Sequence, residues 1–386
     1  MLLTKSRFFD IVLALNIMIS FHKFKKYFRI AWKKIGNEIK TEIFLRTGNF
    51  LPLPQKFYYL VSNKCNFQCR MCPQWKQGIA ESVSDQISVE RMKSLIDEMA
   101  KLGLSEFGIS GGEPMIFREK VLSLLAYANQ QGLYTHFATN GSLVTKEILD
   151  QYEAAGGGHI SLSIDGIGKV HDELRGVPNA FAGVTRVLEL FRLGNYQKIN
   201  LKINTVLSNE NLDQIIEIAK LAIANKALFF VQPYDLYDFA NQYSLSEREE
   251  KYPLWVKQKN FGKLKQVLAE LIALKKKYPT VILNEEKHLA EMADYFAGQK
   301  SQRKCLAAFD NVSINQEGKV VFCKFGELAD LKETGLKEYL QSQKRLNMVK
   351  AGLACKQGCL LGCMYRPGIK EMLLNGPRQF FRLIKK

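Results

Sequence analysis

Eight cysteines carry most of the chemical information in this 386-residue chain. They stand at positions 65, 69, 72, 305, 323, 355, 359 and 363, and none falls between Cys72 and Cys305. A disulfide framework would be unusual in a chain this long with no convincing secretion signal. The two groups therefore read as metal sites in a reducing compartment. The first reads Cys65-Asn-Phe-Gln-Cys69-Arg-Met-Cys72, a C-x3-C-x2-C. A structural zinc site closes its shell with four ligands, and this stretch offers three. Three thiolates suit a four-iron cluster that leaves one iron free for another ligand. A zinc or redox trio is the competing reading of the spacing alone.

The elements that must position the trio follow a regular pattern. FYYLVSN, 57–63, is rich in aromatic and β-branched residues and reads as a strand, which puts the trio on the loop after it. A helix is expected over 88–102, then the strand EFGIS ending in Gly111-Gly112-Glu113-Pro114. A helix over about 117–131, the strand LYTHFAT and a turn at Asn140-Gly141 follow. Next come a helix over 145–154, the strand HISLSI at 159–164 and Asp165-Gly166. Helix 180–194, strand 198–206, helix 211–225 and strand 227–232 complete the series. Six strand–helix units in order predict an α/β fold with a parallel sheet and right-handed crossovers. Six are too few for an eight-unit barrel, so an open, partial (β/α)6 TIM-like barrel is expected. In such folds the active site lies beyond the C-terminal strand ends. The trio, Gly111–Pro114, Thr139-Asn140-Gly141 and Asp165 all fall at that end.

On these residues the sequence resembles the radical S-adenosylmethionine (SAM) superfamily. The C-x3-C-x2-C after the first strand, with Phe67 as its aromatic, and the Gly-Gly-Glu-Pro after the second are that family's marks, and the likeness covers about 55–235. It implies that Cys65, Cys69 and Cys72 hold three irons of a 4Fe–4S cluster. The open iron would chelate the amino and carboxylate groups of SAM. One electron passed to the sulfonium would give methionine and a 5′-deoxyadenosyl radical, which abstracts hydrogen from an unactivated carbon. Gly111, Gly112 and Glu113, with Pro114, would meet the SAM amino group, beside Asn140. Ser163 and Asp165 resemble a fourth-strand motif that reaches the ribose or carboxylate. Arg175, in a loop reading HDELRG, resembles a position that pairs with the SAM carboxylate, for which a guanidinium fork is suited. Asn204 on the fifth strand is a further candidate. The plain alternatives are a turn at 111–114, a strand-end serine, an Asp-Gly turn and a surface arginine. His136 and His159 read as core or surface residues, and His171 has no assigned role.

The second group resembles the auxiliary-cluster region called SPASM, or its shorter form, twitch. Cys305 is followed by twelve residues, Gly318, four residues and Cys323. NVSINQEGKVVFC reads as a hairpin turning at Glu317-Gly318, bringing the two thiols together. A helix over 330–349 precedes Cys355-x3-Cys359-x3-Cys363. Five cysteines close one auxiliary 4Fe–4S cluster with one thiol left over, either a hydrogen donor or an inert buried group. Which four ligate stays open, and a structural zinc site is the alternative. The expected domains are a basic amphipathic helical extension (1–54), the core (55–235), a helical connector (236–300), a small cysteine-rich α+β auxiliary domain (301–366) and a basic helix (367–386). In the connector, 260–278 is strongly helical in period, with breaks at Tyr252-Pro253 and Tyr278-Pro279.

Charge bears on partners. The net charge is +17, of which residues 1–48 carry +7 and residues 367–386 carry +4. Both ends interleave aromatics with the charge, which favours an anionic membrane surface over nucleic acid. Phe8–Phe21 is apolar but interrupted by Asp10, Asn16 and Ser20, and no small-x-small cleavage site follows. No run reaches the roughly 18–20 apolar residues of a spanning helix. Phe24, Phe28, Ala31, Trp32 and Ile35 instead form one helical stripe among lysines and arginines, the pattern of an interfacial helix. A cytoplasmic enzyme, peripheral at the inner face of the membrane, is the expectation. With 47% apolar and 24% charged residues, a disordered or collagen-like chain is excluded.

The resemblance leaves the substrate open among small molecules, lipid-linked or envelope glycans, and peptides, with a flavodoxin or ferredoxin as electron donor. The basic ends point to a membrane-linked substrate. A peptide modifier is the alternative, although 1–54 is too short for a winged-helix peptide-binding domain. A non-catalytic zinc scaffold is the rival from another class. A nucleic-acid-modifying enzyme is the third.

Overall fold

The computed structural model describes residues 35–78, 86–235, 244–299, 304–323, 326–356 and 359–362. The aromatic–basic stripe from Phe24 to Trp32, the basic end at 367–386 and Cys363 lie outside the described residues. Leu53–Arg366 make up one compact unit; Met1–Pro52 and Pro367–Lys386 make up a second, of which a helix over 35–47 is described. Among the described residues no helix is long and apolar enough to cross a membrane.

A two-residue period builds the sheet. In β5 (Ile199–Leu207), Ile199, Leu201, Ile203, Thr205 and Leu207 are buried, and the intervening Asn200, Lys202, Asn204 and Val206 are half-buried. β1 (Lys56–Leu60) and β6 (Leu228–Pro233) alternate in the same way. β2 (Glu106–Ser110), β3 (Tyr134–Thr139) and β4 (Gly158–Ser163) complete six parallel strands, in the spatial order β6-β5-β4-β3-β2-β1. The buried faces, with Phe57, Phe107, Phe137 and Ile160, share one core with Leu95 and Met99 of α1 (Val89–Leu102), Leu124 of α2 (Arg118–Gln130) and Leu149 of α3 (Lys146–Ala154). Each such side chain contributes about 1.5–3 kcal/mol by leaving water. Ser88 caps α1 by accepting the Arg91 N–H at 3.1 Å, and Gly103 ends it in the left-handed region that glycine tolerates. The opposite strand faces enclose a lumen.

The structure departs from the sequence expectation in three places. HDELRG is not a loop: α4 (Lys169–Arg175) is a helix, followed by α5 (Ala180–Leu193). The stretch 211–225 divides into a short 3-10 turn, Leu212–Gln214, and α6 (Ile215–Ala224). The expected auxiliary hairpin forms, and it extends the barrel sheet. Its first strand, β7 (Asn311–Ile314), pairs parallel with β1, and β8 (Lys319–Val321) and β9 (Glu327–Asp330) follow antiparallel. The expected helix 330–349 is instead the end of β9, a turn, and two helices that the sequence reading merges. These are α10 (Leu336–Gln341) and α11 (Gln343–Ala354), broken at Ser342, whose side chain caps α11.

The connector folds as α7 (Leu245–Lys251), α8 (Phe261–Lys277) and α9 (Glu286–Phe296). It protects the β6 edge. The Phe229 N–H donates to the Val281 carbonyl at 2.8 Å, and the Leu283 N–H returns a bond to the Phe229 carbonyl at 2.8 Å. One step on, the Asn284 amide imitates a strand residue, accepting the Val231 N–H at 2.9 Å and donating to its carbonyl at 2.6 Å. An edge satisfied in this way offers no template to another chain.

Candidate active site

The three N-terminal thiols stand on the loop after β1, at the C-terminal end of the parallel sheet. The Phe67 N–H donates to Cys65 Sγ at 3.4 Å, and the Cys72 N–H donates to the Cys69 carbonyl at 3.1 Å. Phe67 is buried against Cys69 and Ala180, which roots the loop on the barrel. Two glycines let the neighbouring loop come close. A Cβ on Gly111, at φ 128, would collide with the Ser62 carbonyl, and one on Gly112 with the Lys64 carbonyl. In that space the Gly112 N–H donates to Ser62 O at 2.7 Å and the Glu113 N–H to Lys64 O at 2.9 Å. The close approach that glycine permits is thus to the chain leading into the thiols.

A cavity of about 150 Å³ opens there, lined by Cys65, Cys69 and Cys72 and by Gly111, Gly112, Glu113, Asn140, Ser163 and Arg175. Six of the nine sequence candidates for cofactor contact therefore share one cavity with the thiols. Pro114, Asp165 and Asn204 are not among its lining residues. Pro114, itself buried, opens a 3-10 turn. Asn204 lies beside Ser163 in register, with its Oδ1 buried and unpartnered. The sequence reading passed over Ser110, Gln74, Trp75 and Ala138, which also line the cavity. None of these four carries a motif; only strand-end position could have marked Ser110 and Ala138.

Glu113 ties three loops together. It is 1% exposed. Its Oε1 accepts from the Met115 N–H at 3.0 Å and from Thr139 Oγ1 at 2.8 Å, and Oε2 accepts from the Asn140 N–H at 2.7 Å. Burial pushes its pKa up, and these three donors pull it back. The Asn140 side chain in turn donates to Asn66 Oδ1 at 2.9 Å, inside the thiol loop.

Arg175 joins the thiols to the fourth strand. Its Nη2 meets Asp165 Oδ2 at 2.5 Å, and its Nη1 donates to Cys69 Sγ at 3.7 Å. Asp165 is fully buried, and its Oδ1 accepts the Val206 N–H at 2.7 Å. Burial works against the Arg175 charge, but Asp165 together with the Cys69 and Cys72 thiols more than offsets it, so the guanidinium stays protonated. His171 supports the pair. Its Nδ1 accepts the Asp165 N–H at 3.1 Å, and burial followed by the Arg175 charge pulls its pKa down to about 3. The ring is neutral, with its proton on Nε2.

At the second group, burial pushes the Cys305 thiol up to about 11, and the charges of Cys355 and Cys323 act on it. Cys359 acts instead on Tyr295, whose hydroxyl donates to Asp235 Oδ1 at 3.2 Å. The segment after Cys359 borders the lumen. The Leu360 carbonyl accepts from His288 Nε2 at 3.0 Å, and Gly362 packs on Phe230 of β6. Among the described residues no three His, Cys, Asp or Glu side chains draw close enough to hold a single metal ion. The first three thiols ring the cavity instead.

Residues 59–222 match the model of the family described as Radical SAM superfamily. This chain carries a radical SAM domain. An AdoMet-dependent heme synthase of Methanosarcina barkeri is 32% identical over 202 residues, 51% of this chain and 56% of that protein. A PqqA peptide cyclase of Bradyrhizobium diazoefficiens is 26% identical over 178 residues, 46% of this chain and 45% of that one. The chain thus matches about half the length of these curated relatives. Among solved structures, Streptococcus suis SuiB bound to S-adenosylmethionine has a TM-score of 0.57 at 15% identity, covering 81% of this chain and 71% of that one. Native anSMEcpe with bound AdoMet has a TM-score of 0.58 at 18% identity, covering 86% and 97%. They share the fold. A radical SAM domain implies a 4Fe–4S cluster and SAM, and the residues fit both. Three soft thiols ring one cavity, beside a polar rim that offers Asn140, Ser163 and Arg175 to a second ligand. The Cys65 and Cys69 thiols, raised by burial when free, would ionise on binding metal.

Proposed function

We propose that this chain reductively cleaves SAM and abstracts a hydrogen atom from a substrate seated in the barrel lumen. Cys65, Cys69 and Cys72 would hold the cluster, which supplies the electron that splits SAM into methionine and a 5′-deoxyadenosyl radical. Gly111, Gly112, Asn140 and Ser163 line the space for SAM. Glu113 acts as a brace, because its oxygens already accept three protein donors. Arg175 holds Asp165 and Cys69 together and turns a cation toward the SAM carboxylate. Cys305, Cys323 and Cys355, with one thiol from Cys359 and Cys363, would hold an auxiliary cluster that accepts an electron in an oxidation or crosslinking. The observation that carries this reading is the single cavity shared by three thiols and the Gly111–Glu113 loop.

For the substrate, the basic ends of the chain support a membrane-linked molecule, with the protein peripheral on an anionic surface. A peptide is the second reading. It is supported by relatives named PqqA peptide cyclase and by fold neighbours solved with precursor or short peptides. The test is 5′-deoxyadenosine release by the anaerobically reconstituted protein with dithionite and SAM, followed by candidate envelope and peptide substrates. Release that depends on all three N-terminal thiols supports the reading, and zinc in place of iron sinks it. Sedimentation with anionic vesicles separates the two substrate readings.

A further inference from the structure

The inner face of the barrel stays polar well below the thiol rim. Lys56 and Tyr58 of β1, Glu106 of β2, His136 of β3, His159 of β4 and Lys202 of β5 share one face. It is the face that carries Ser110, Ala138 and Ser163 into the cavity, because in-register partners and alternate residues lie on the same side. His136 stacks on His159, with ring centres 4.4 Å apart and planes 6° from parallel. Tyr58 meets His136 edge-on at 5.3 Å. The His136 ring fits because Gly108, opposite it, has no side chain; a Cβ there would collide with the imidazole.

Two features of this floor lack a use inside the protein. His136 is 7% exposed, yet its Nδ1 has no hydrogen-bond partner. Lys202 has its ammonium 5.3 Å from the centre of the Phe230 ring, and among the described residues no carboxylate stands within ion-pair distance of it. The charges that act on Lys202 are Lys56 and Glu106, two cations in all against one carboxylate. Burial and Lys56 bring the amine down to about 8. A desolvated cation with no carboxylate at ion-pair distance is costly, and persists where a ligand completes it.

We propose that the lumen floor is an anion subsite, in which Lys202 and His136 receive a carboxylate or phosphate group of the substrate. An anion held there would leave the rest of the molecule pointing toward the thiol rim. The inference deepens the proposed function by naming a group the substrate carries, and rests on it only in placing the substrate in the lumen.

The test uses the full chain, purified anaerobically, with succinate and inorganic phosphate as probes. Lysines are reductively methylated at mildly alkaline pH and the rate at each is read by peptide mass spectrometry. At least one anion should slow Lys202 saturably, by roughly tenfold or more, and leave exposed Lys198 unchanged. Protection by succinate alone assigns a carboxylate, and by phosphate alone a phosphate. Binding of the protecting anion should weaken by roughly tenfold in Lys202→Met and persist in Lys202→Arg, with SAM affinity unchanged. Lys202 labelling indifferent to both anions overturns the subsite, as does wild-type anion affinity in Lys202→Met. Because the labelling needs no turnover, protection without SAM cleavage would refute the proposed function and leave the subsite standing.

Discussion

The two thiol groups are built by different means. Cys65, Cys69 and Cys72 hang from the end of a parallel strand, and the loops around them are fixed by Glu113, Asn140 and the Arg175–Asp165 pair. Cys305 lies just before β7, Cys323 follows β8, and Cys355 is the C-cap of α11. The first group surrounds a cavity with polar groups to spare. In the second, Cys305 is buried, Cys355 is half-buried and Cys323 is exposed. The difference teaches what an open coordination position demands. On the proposed reading, closing a shell takes only thiols, whereas presenting a free iron to a second ligand takes a braced cavity.

The sharpest way to break this comparison is to remove each group in turn. Alanine at Cys65, Cys69 and Cys72 together should abolish 5′-deoxyadenosine formation and about half the bound iron, measured per chain. Alanine at Cys305, Cys323 and Cys355 should also remove about half the iron but leave SAM cleavage in place. Equal loss of cleavage in both variants would erase the distinction.

Asp165→Asn tests the brace. It leaves the Arg175 guanidinium buried against a neutral amide, and should cost about 3–5 kcal/mol in denaturant unfolding. A change under about 1 kcal/mol would show that the pair does not brace the rim.

The buried imidazoles sharpen the comparison further, since they belong to the barrel. His136 is pulled down to about 4 by burial, against an ordinary value near 6.5. Between those values the unfolded chain binds a proton that the native protein does not, so stability falls as pH drops from 6.5 toward 4. The loss is up to about 3 kcal/mol, and it is absent above pH 7. Chemical denaturation at stepped pH should show this slope in the wild type and a shallower one in His136→Gln. Smaller again is Glu113→Gln, which turns an NH2 toward backbone donors and should cost about 1–3 kcal/mol, with SAM affinity lowered because the Asn140 loop shifts.

Much of the barrel was legible because aromatic and β-branched strand segments and helical segments succeed one another in regular order. The thiols and Gly111–Pro114 were legible as spacing. What the sequence concealed is tertiary. β9 reads Glu-Leu-Ala-Asp, with no strand signature, and becomes a strand by pairing with β8. α4 is seven residues long, too short for a periodic signal. Nothing local says that β7 will pair with β1, some 250 residues away. The same holds inside the site. Glu113 reads as a ligand for an ammonium, but its partners Thr139 and Asn140 arrive from the next strand and engage both oxygens. Arg175 reads as a surface or SAM-binding residue, and the fold buries Asp165 directly against it.

The most direct test is the EPR spectrum of the reduced, reconstituted protein with and without SAM. The account expects SAM to change the signal of one cluster only. That response should be absent when Cys65, Cys69 and Cys72 are replaced, and retained when Cys305, Cys323 and Cys355 are replaced. A spectrum that SAM leaves untouched, or a SAM response that survives loss of the N-terminal thiols, would contradict it.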